Sequence, residues 1–171
     1  GEWLRDVKDW NFSRNRYWGT PLPIWKCEKC ANVKVVGSIK ELGTQAPKNK
    51  RGEIDLHRPY IDAIKWKCEQ KGCKGSFERL PDVLDVWVDA GSTSFTCLDY
   101  PQRTDLFKEY WPADMIMEGK DQIRGWFNLL FVASMVAMNN QSFTSVYMHG
   151  FINDAQGRKM SKSLGNYITP D

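Results

Sequence analysis

Apolar positions are unevenly distributed along the 171 residues. From about residue 81 they gather into short runs bounded by glycine, proline or polar residues. "PDVLDVWVDAG" reads as a short β-rich run ended by Gly91. "ADMIMEG", apolar around Met115 to Met117, predicts a buried strand, and "TSVYMHGF" predicts another, closed by Gly150. Between these two, "DQIRGWFNLLFVASMVAMNN" has the length and continuous apolar content of a largely buried helix. Strand, helix and strand from Asp114 to His149 make a βαβ unit, a connection that leaves its two strands parallel. Before residue 81 the periodicity is weaker. "NKRGEIDLHRPY" reads as loop with short strands, and no internal repeat or low-complexity segment is present.

Parallel strands end at the same sheet edge, so Glu118 and Gly119 are expected beside His149 and Gly150. In open α/β sheets, ligands bind outside those carboxyl ends. The stretch "GRKMSKSLGN" leaves the same edge, with three cations and two hydroxyls between two glycines and no acid among them. Glu118, Asp121, the glycines, Lys159 and Lys162 would then line one cleft, suited to a ligand that carries an ammonium and phosphates. Each element other than the loop also has a plainer explanation. Glu118 and Asp121 complement the positive amino end of a helix. Trp126, four residues beyond Gln122 on the same face, packs in a core, and His149 is a hydrogen-bonded strand end. Exposed lysines between glycines have no such packing explanation.

Composition limits the class. With 42% hydrophobic residues and eight tryptophans the chain can bury a sizeable core, which excludes a disordered protein. Its longest apolar stretch, Trp126 to Met138, falls short of the ~20 residues that span a bilayer. The charged start "GEWLRDVKDW" does not resemble a signal peptide. An intracellular, cytoplasmic protein without a membrane partner is expected, and the missing initial methionine suggests a piece of a longer chain.

Net charge is +3, but residues 1–80 hold 17 Lys/Arg against 10 Asp/Glu, whereas residues 81–171 hold 7 against 11. A basic half attracts a polyanion such as RNA; a solvated lysine-rich surface accounts for the same composition. Four of the five cysteines lie in the basic half, as "CEKC" (Cys27, Cys30) and "CEQKGC" (Cys68, Cys73). Paired knuckles of this type present four thiolates to one tetrahedral zinc ion, and a closed all-cysteine set has a structural role. In an intracellular chain, metal is favoured over disulfides. Lys26, Lys29, Lys67, Lys71 and Lys74 would partly balance the charge of such a site, which weakens the RNA argument. Cys97 is expected to be a small buried side chain.

"KMSKS" at Lys159 to Ser163 is similar to the signature loop of class I aminoacyl-tRNA synthetases. Together with "SRNRYWGTPLPIW", "LPDVLDVWVDAGS", "EGKDQIRGWF" and "MHGF" in this order, it resembles the isoleucyl-tRNA synthetase family over nearly the whole chain. The leucyl and valyl families share the "SR…WG" and lysine motifs but match the others less well. The resemblance implies activation of isoleucine by ATP, with Mg2+, to isoleucyl-adenylate, followed by transfer to tRNA(Ile). Lys159 and Lys162 would bind the triphosphate, with Ser161 among the loop contacts. Glu118, Gly119, Asp121 and Gln122 would hold the amino acid or adenylate, His149, Gly150 and Phe151 would approach the adenosine, and Trp87 and Trp126 would wall the isoleucine pocket. "SRNRYWG" receives no chemical role. Its arginines and tryptophan would stabilise the return from an inserted domain.

The implied fold is α/β: the C-terminal half of a Rossmann-like parallel-sheet nucleotide-binding fold with a zinc-ribbon-like insertion. Residues 1–25 would return the chain to the catalytic core, 26–80 would form the zinc-binding insertion, and 81–171 would complete the nucleotide-binding domain as far as the lysine loop. The family's histidine-rich "HIGH" element has no counterpart in these residues, so activity is expected only together with the remainder of a parent synthetase. Two other classes remain open: a zinc-ribbon RNA-binding module, and a purely structural domain.

Overall fold

The computed structural model describes residues 5–169. It divides into two units, Gly1–Asp89 and Ala90–Asp171. In the first, strands β1 (Ser13–Arg14) and β6 (Val83–Leu84) pair antiparallel, Ser13 opposite Leu84. A separate four-stranded antiparallel sheet contains β2 (Ile24–Cys27), β3 (Val33–Val35), β4 (Trp66–Lys67) and β5 (Ser76–Arg79), in the order β3-β2-β5-β4. The two central strands alternate as a half-buried strand should: Trp25 and Cys27 of β2, and Phe77 and Arg79 of β5, point inward between outward Lys26 and Glu78.

Trp25 and Phe77 meet Val36, Leu42, Ile61 and Ile64 in one core. The buried Trp25 indole N–H donates to the Ile64 carbonyl at 3.0 Å, and its ring meets Trp66 edge-on at 4.9 Å. Leu42 is delivered by the short helix α1 (Ile39–Leu42), whose first turn is capped by Ser38. Residues 49–60 form a loop in which Ile54 makes one isolated antiparallel bridge with Lys48, rather than short strands.

One end of this core is ionic. The Arg79 side chain is only 1% exposed; its Nε donates to Asp62 Oδ1 at 2.6 Å, and its Nη1 donates to the carbonyls of Leu22 and Asp82 at 3.2 and 3.0 Å. Arg58 donates to the other Asp62 oxygen at 2.8 Å. Burial pushes the Asp62 carboxyl up, but hydrogen bonds from Arg58 and Arg79 outweigh it and hold the pKa below the ordinary range.

In the second unit, helix α2 (Val86–Thr96), which begins in the last residues of the first, is followed by α3 (Thr104–Tyr110), β7 (Ala113–Gly119), α4 (Trp126–Met138) and β8 (Phe143–His149). Strands β7 and β8 pair in parallel from Ala113–Phe143 to Gly119–His149, so the expected βαβ unit is present. Its helix is shorter than expected, because Lys120–Arg124 form a 3-10 turn and Gly125 breaks the path before α4.

Three expectations fail. The "DVWVDAG" stretch is β only at Val83–Leu84, after which α2 begins and Gly91 lies inside it. The Asp85 side chain explains the switch, since its Oδ1 accepts the Trp87 N–H at 3.0 Å and starts the helix. Gly91 is needed for contact rather than for a turn: a Cβ there would lie 2.7 Å from the Leu129 carbonyl oxygen of α4. Second, α4 and β7 are not largely buried. The helix buries Phe127, Leu130 and Ser134 in one stripe, leaving Val136 84% exposed, and Met115 and Met117 are exposed on β7. Continuous apolar runs in parallel α/β layers need cover on both sides, and a two-stranded sheet with its neighbouring helices covers one. Third, Cys97 is exposed, one residue beyond the end of α2.

Substituting Asp62 with alanine would leave the enclosed Arg79 guanidinium without its counter-ion, and urea denaturation should show a loss of roughly 3 kcal/mol. Because the Asp62 pKa is depressed on folding, its contribution is complete above the unfolded value of about 4 and disappears as pH falls through the folded value. The wild-type and Asp62→Ala stabilities should therefore converge only at more acidic pH.

Candidate active site and metal centre

The carboxyl edge of β7 and β8 is built by register. Glu118 lies opposite Met148 and Gly119 opposite His149, so the chain leaves both strands at the same level. Gly119 is buried, and a Cβ there would meet Asp121 Oδ1 at 2.6 Å and the His149 ring at 3.5 Å. Glycine is therefore what allows Asp121 and His149 to close on the strand end. Glu118 Oε2 accepts the Gly119 N–H at 3.1 Å. The His149 Nδ1–H donates to the Gly150 carbonyl at 2.8 Å.

Gln122 has a different local task. Its Oε1 accepts the Trp126 N–H at 3.0 Å and caps α4, while its amide donates to Asp121 at 3.2 Å. The half-buried Trp126 donates its indole N–H to the Ala90 carbonyl at 3.2 Å, which anchors the ring between α4 and α2.

The lysine loop returns to this edge. Phe151, just beyond β8, has the Lys159 ammonium 4.1 Å from its ring centre on one contact and the Lys120 ammonium at 5.1 Å on another. Lys162 is exposed at a turn closed by the Gly165 N–H on its carbonyl at 3.3 Å. Ser161 Oγ accepts the Leu164 N–H at 3.3 Å and lies 3.2 Å from Ser163 Oγ. Among the described residues neither Lys159 nor Lys162 forms an ion pair, whereas Arg158 pairs with Asp154 at 2.8 Å. The edge thus brings together Gly119, Asp121, His149, Phe151 and Lys159, with Glu118 and Gly150 next to them in the chain.

In the first unit, the four cysteines meet as their spacing predicts. Their sulfurs lie within 4.8 Å of one another, with Cys27 to Cys73 at 3.7 Å and Cys30 to Cys68 at 3.5 Å, and none forms a disulfide. Four sulfurs at ~2.3 Å from a tetrahedral centre would be separated by about 3.8 Å, so the set fits a metal ion. Backbone N–H groups already face the sulfurs: Lys29 donates to Cys27 and Gly75 to Cys73, both at 3.4 Å. Hydrogen bonding from the Cys30 N–H, helped by that of Lys29, lowers the Cys27 thiol to about 6. The Gln70 N–H pulls Cys68 down, but burial and the neighbouring thiols prevail and push it up to about 12.

Trp87 also belongs to the first unit, where it lines a cavity of about 440 Å³ with Arg14, Arg16, Trp18 and Asp85. The "SRNRYWG" segment, left without a role by the sequence, acts here. Asp85, 3% exposed, is ion-paired with Arg14, accepts the Trp10 indole N–H at 3.3 Å, and fixes the Trp87 backbone. Trp18 stacks on His57 at 4.7 Å.

Sequence reasoning passed over Asp154, Asn166 and Gly75. The "DAQG" stretch carries a turn signal that marks Asp154, whose carboxylate accepts the Gln156 and Arg158 N–H groups at 3.0 and 2.8 Å. Gly75 has no comparable sequence signal. A Cβ at this position would lie 2.7 Å from Cys27 Sγ.

The parallel strand pair ending in Gly119 and His149, with the lysine loop folded back over it, is a mixed α/β arrangement. The family model for class I tRNA synthetases of the I, L, M and V group matches residues 1–171, and the chain belongs to this family. It is 49% identical over 170 residues to the isoleucine--tRNA ligase of Archaeoglobus fulgidus, covering 99% of this chain and 16% of the ligase. With the isoleucine--tRNA ligase of Methanosarcina mazei it shares 50% over 168 residues, 98% of this chain and 15% of that protein. With that of Thermus thermophilus it shares 46% over 171 residues, 99% and 16%. The crystal structure of an Agrobacterium radiobacter K84 LeuRS in ternary complex with tRNA and LeuAMS superposes with a TM-score of 0.66 at 29% identity, over 96% of this chain and 22% of that one. The chain thus spans about a sixth of the length of the curated relatives it matches.

Replacing Gly75 with alanine should displace the Cys27 sulfur and weaken metal binding by roughly 10- to 100-fold. Competition with a coloured chelator measures this directly, and unchanged affinity would remove Gly75 from the metal centre.

Proposed function

We propose that this chain contributes part of the catalytic domain of a synthetase that activates isoleucine with ATP and transfers it to tRNA(Ile), acting with the remainder of a parent enzyme. The observation that carries the reading is the Lys159 ammonium 4.1 Å from the Phe151 ring, beside the carboxyl edge of β7 and β8. Identities of 49 and 50% with isoleucine--tRNA ligases, against 29% with the leucyl enzyme, support isoleucine as the amino acid. On this reading residues 81–171 form the second half of a Rossmann-like fold, residues 1–25 lead into it, and 26–80 are a zinc-ribbon insertion. The setting is the cytoplasm, and among the described residues no helix is long and apolar enough to cross a membrane.

Isoleucine attacks the α-phosphorus of ATP, an aminoacyl–phosphate bond forms, and pyrophosphate departs with the electron pair. Lys159 and Lys162, without ion-pair partners among the described residues, bind the triphosphate and stabilise the charge that shifts onto pyrophosphate. When bound with ATP, Mg2+ would neutralise part of the same charge. Glu118 and Asp121 hold the ammonium end of the amino acid or its adenylate, and Gln122 sets the start of α4 and with it Trp126. Trp126 walls the isoleucine side chain, while Gly119, His149, Gly150, Phe151 and Ser161 approach the nucleotide. Cys27, Cys30, Cys68 and Cys73 would hold a zinc ion, which would join the β2–β3 and β4–β5 turns at one end of the inserted sheet.

In the parent enzyme, Lys162→Ala should slow isoleucine-dependent pyrophosphate exchange by roughly a hundredfold to a thousandfold while isoleucine binding changes little. Arginine at this position should rescue poorly, because its planar fork does not replace a compact ammonium. An undiminished rate would refute the role of the loop. For the metal, elemental analysis after purification without chelator should find about one zinc per chain, and stripping it should destabilise the β2–β5 sheet. A metal-free protein with an equally stable sheet would argue against zinc.

A further inference from the structure

The ten-residue lysine loop hangs on two residues outside the "KMSKS" core. Asp154 lies in an otherwise exposed loop, yet its side chain is only 9% exposed. Its Oδ1 accepts the N–H groups of Gln156 and Arg158, and its Oδ2 accepts Arg158 Nε at 2.9 Å and Asn166 Nδ2 at 2.8 Å. Asn166 uses both ends of its amide: Oδ1 accepts the Ser161 N–H at 3.0 Å, and Nδ2 also donates to the Lys159 carbonyl at 3.3 Å. Backbone contacts complete the clasp, with Asp154 N–H on the Arg158 carbonyl at 2.9 Å and Asn153 bridged to Lys159. The backbone at residues 159 and 161 is therefore tied to Asn166, and through it to Asp154, while both lysine side chains remain exposed.

We propose that Asp154 and Asn166 are positioning residues, which fix the lysine loop in the geometry from which Lys159 and Lys162 engage the triphosphate. The inference rests on the ATP-binding role given to those lysines above. Three cations crowd this loop, and the clasp sorts them: Asp154 occupies Arg158 and so leaves the lysines to a polyanion. The primary amide of Asn166 meets the geometry at this position, because it accepts from one side of the loop and donates to the other. Holding two flexible cations on a preset backbone lowers the ordering cost of binding. The Asn166 amide, the Arg158 N–H groups and that of Gln156 outweigh burial and keep the Asp154 carboxyl below its ordinary pKa, so it stays an acceptor at neutral pH.

The test compares three variants of the full-length parent enzyme: Asn166→Ala, Asn166→Asp, and Asp154→Asn combined with Asn166→Asp. Trypsin cleavage after Lys159 and Lys162 reports the loop, and pyrophosphate exchange gives separate KM values for ATP and isoleucine. Asn166→Ala should speed cleavage and raise the KM for ATP by roughly three- to tenfold, the worth of one net hydrogen bond, with the KM for isoleucine unchanged. Asn166→Asp should do the same, because it faces Asp154 with a second carboxylate and loses the amide donors. The swap restores an Asn–Asp hydrogen bond with the donor reversed and should recover part of both effects. Unchanged cleavage, or faster cleavage at an unchanged KM for ATP, overturns the proposal. Lys162→Ala, assayed alongside, separates the two layers. Slow exchange in Lys162→Ala beside normal ATP kinetics in Asn166→Ala sinks the positioning role alone, whereas normal exchange in Lys162→Ala sinks the ATP reading and this inference with it.

Discussion

The parallel register of β7 and β8 is the constraint on which the candidate active site depends. Pairing from Ala113–Phe143 to Gly119–His149 makes both strands release the chain at one level. A slip of one residue would send every side chain to the opposite face. It would also separate Gly119 from His149, where the space left by the missing Cβ admits Asp121. The helix crossover sets the parallel direction, and Gln122 fixes where that helix starts by capping Trp126. The lysine loop follows β8 by only a few residues, so its placement over Phe151 inherits the same register.

The first unit is held by different physics. Its sheet is small, and a core of seven buried residues is reinforced at one end by the cysteine cluster and at another by Arg79 with Asp62. Small cores commonly need such staples. Both staples link segments distant in sequence: Cys27 meets Cys73, and Arg79 meets Asp62, Leu22 and Asp82. Breaking one partner in either leaves buried polar or charged atoms without compensation, so the unit is sensitive to single substitutions at these positions.

Apolar surface is distributed differently. Met115, Met117, Tyr147, Met148 and Val136 remain exposed in the second unit, although their sequence context is that of buried strands and helix. Residue pattern reports the environment that a fold of this type provides when layers cover both sheet faces. This chain spans 16% of the first of its curated relatives, and the layers present in it cover one stripe of α4.

Local chemistry was legible from the sequence alone. Two cysteine knuckles announced a tetrahedral donor set because each spans only a few residues. Strand–helix–strand periodicity announced the parallel pair, since a crossover of this length permits little else. The exposed lysine loop declared itself through charge without neutralising acids. Tertiary structure decided what depends on distant partners. "SRNRYWG" gained a role only because Arg14 reaches Asp85 from more than seventy residues away, beside the equally distant Trp10. Gly91 proved to be a helix contact because the Leu129 carbonyl faces it, and Gly75 a close neighbour of the cysteine cluster because Cys27 does. Asn166 became the clasp of the lysine loop through three hydrogen bonds to residues 154, 159 and 161. Periodicity and spacing encode what neighbours along the chain can do together, whereas a hydrogen-bond partner or a missing Cβ acquires meaning only once the fold chooses what stands opposite.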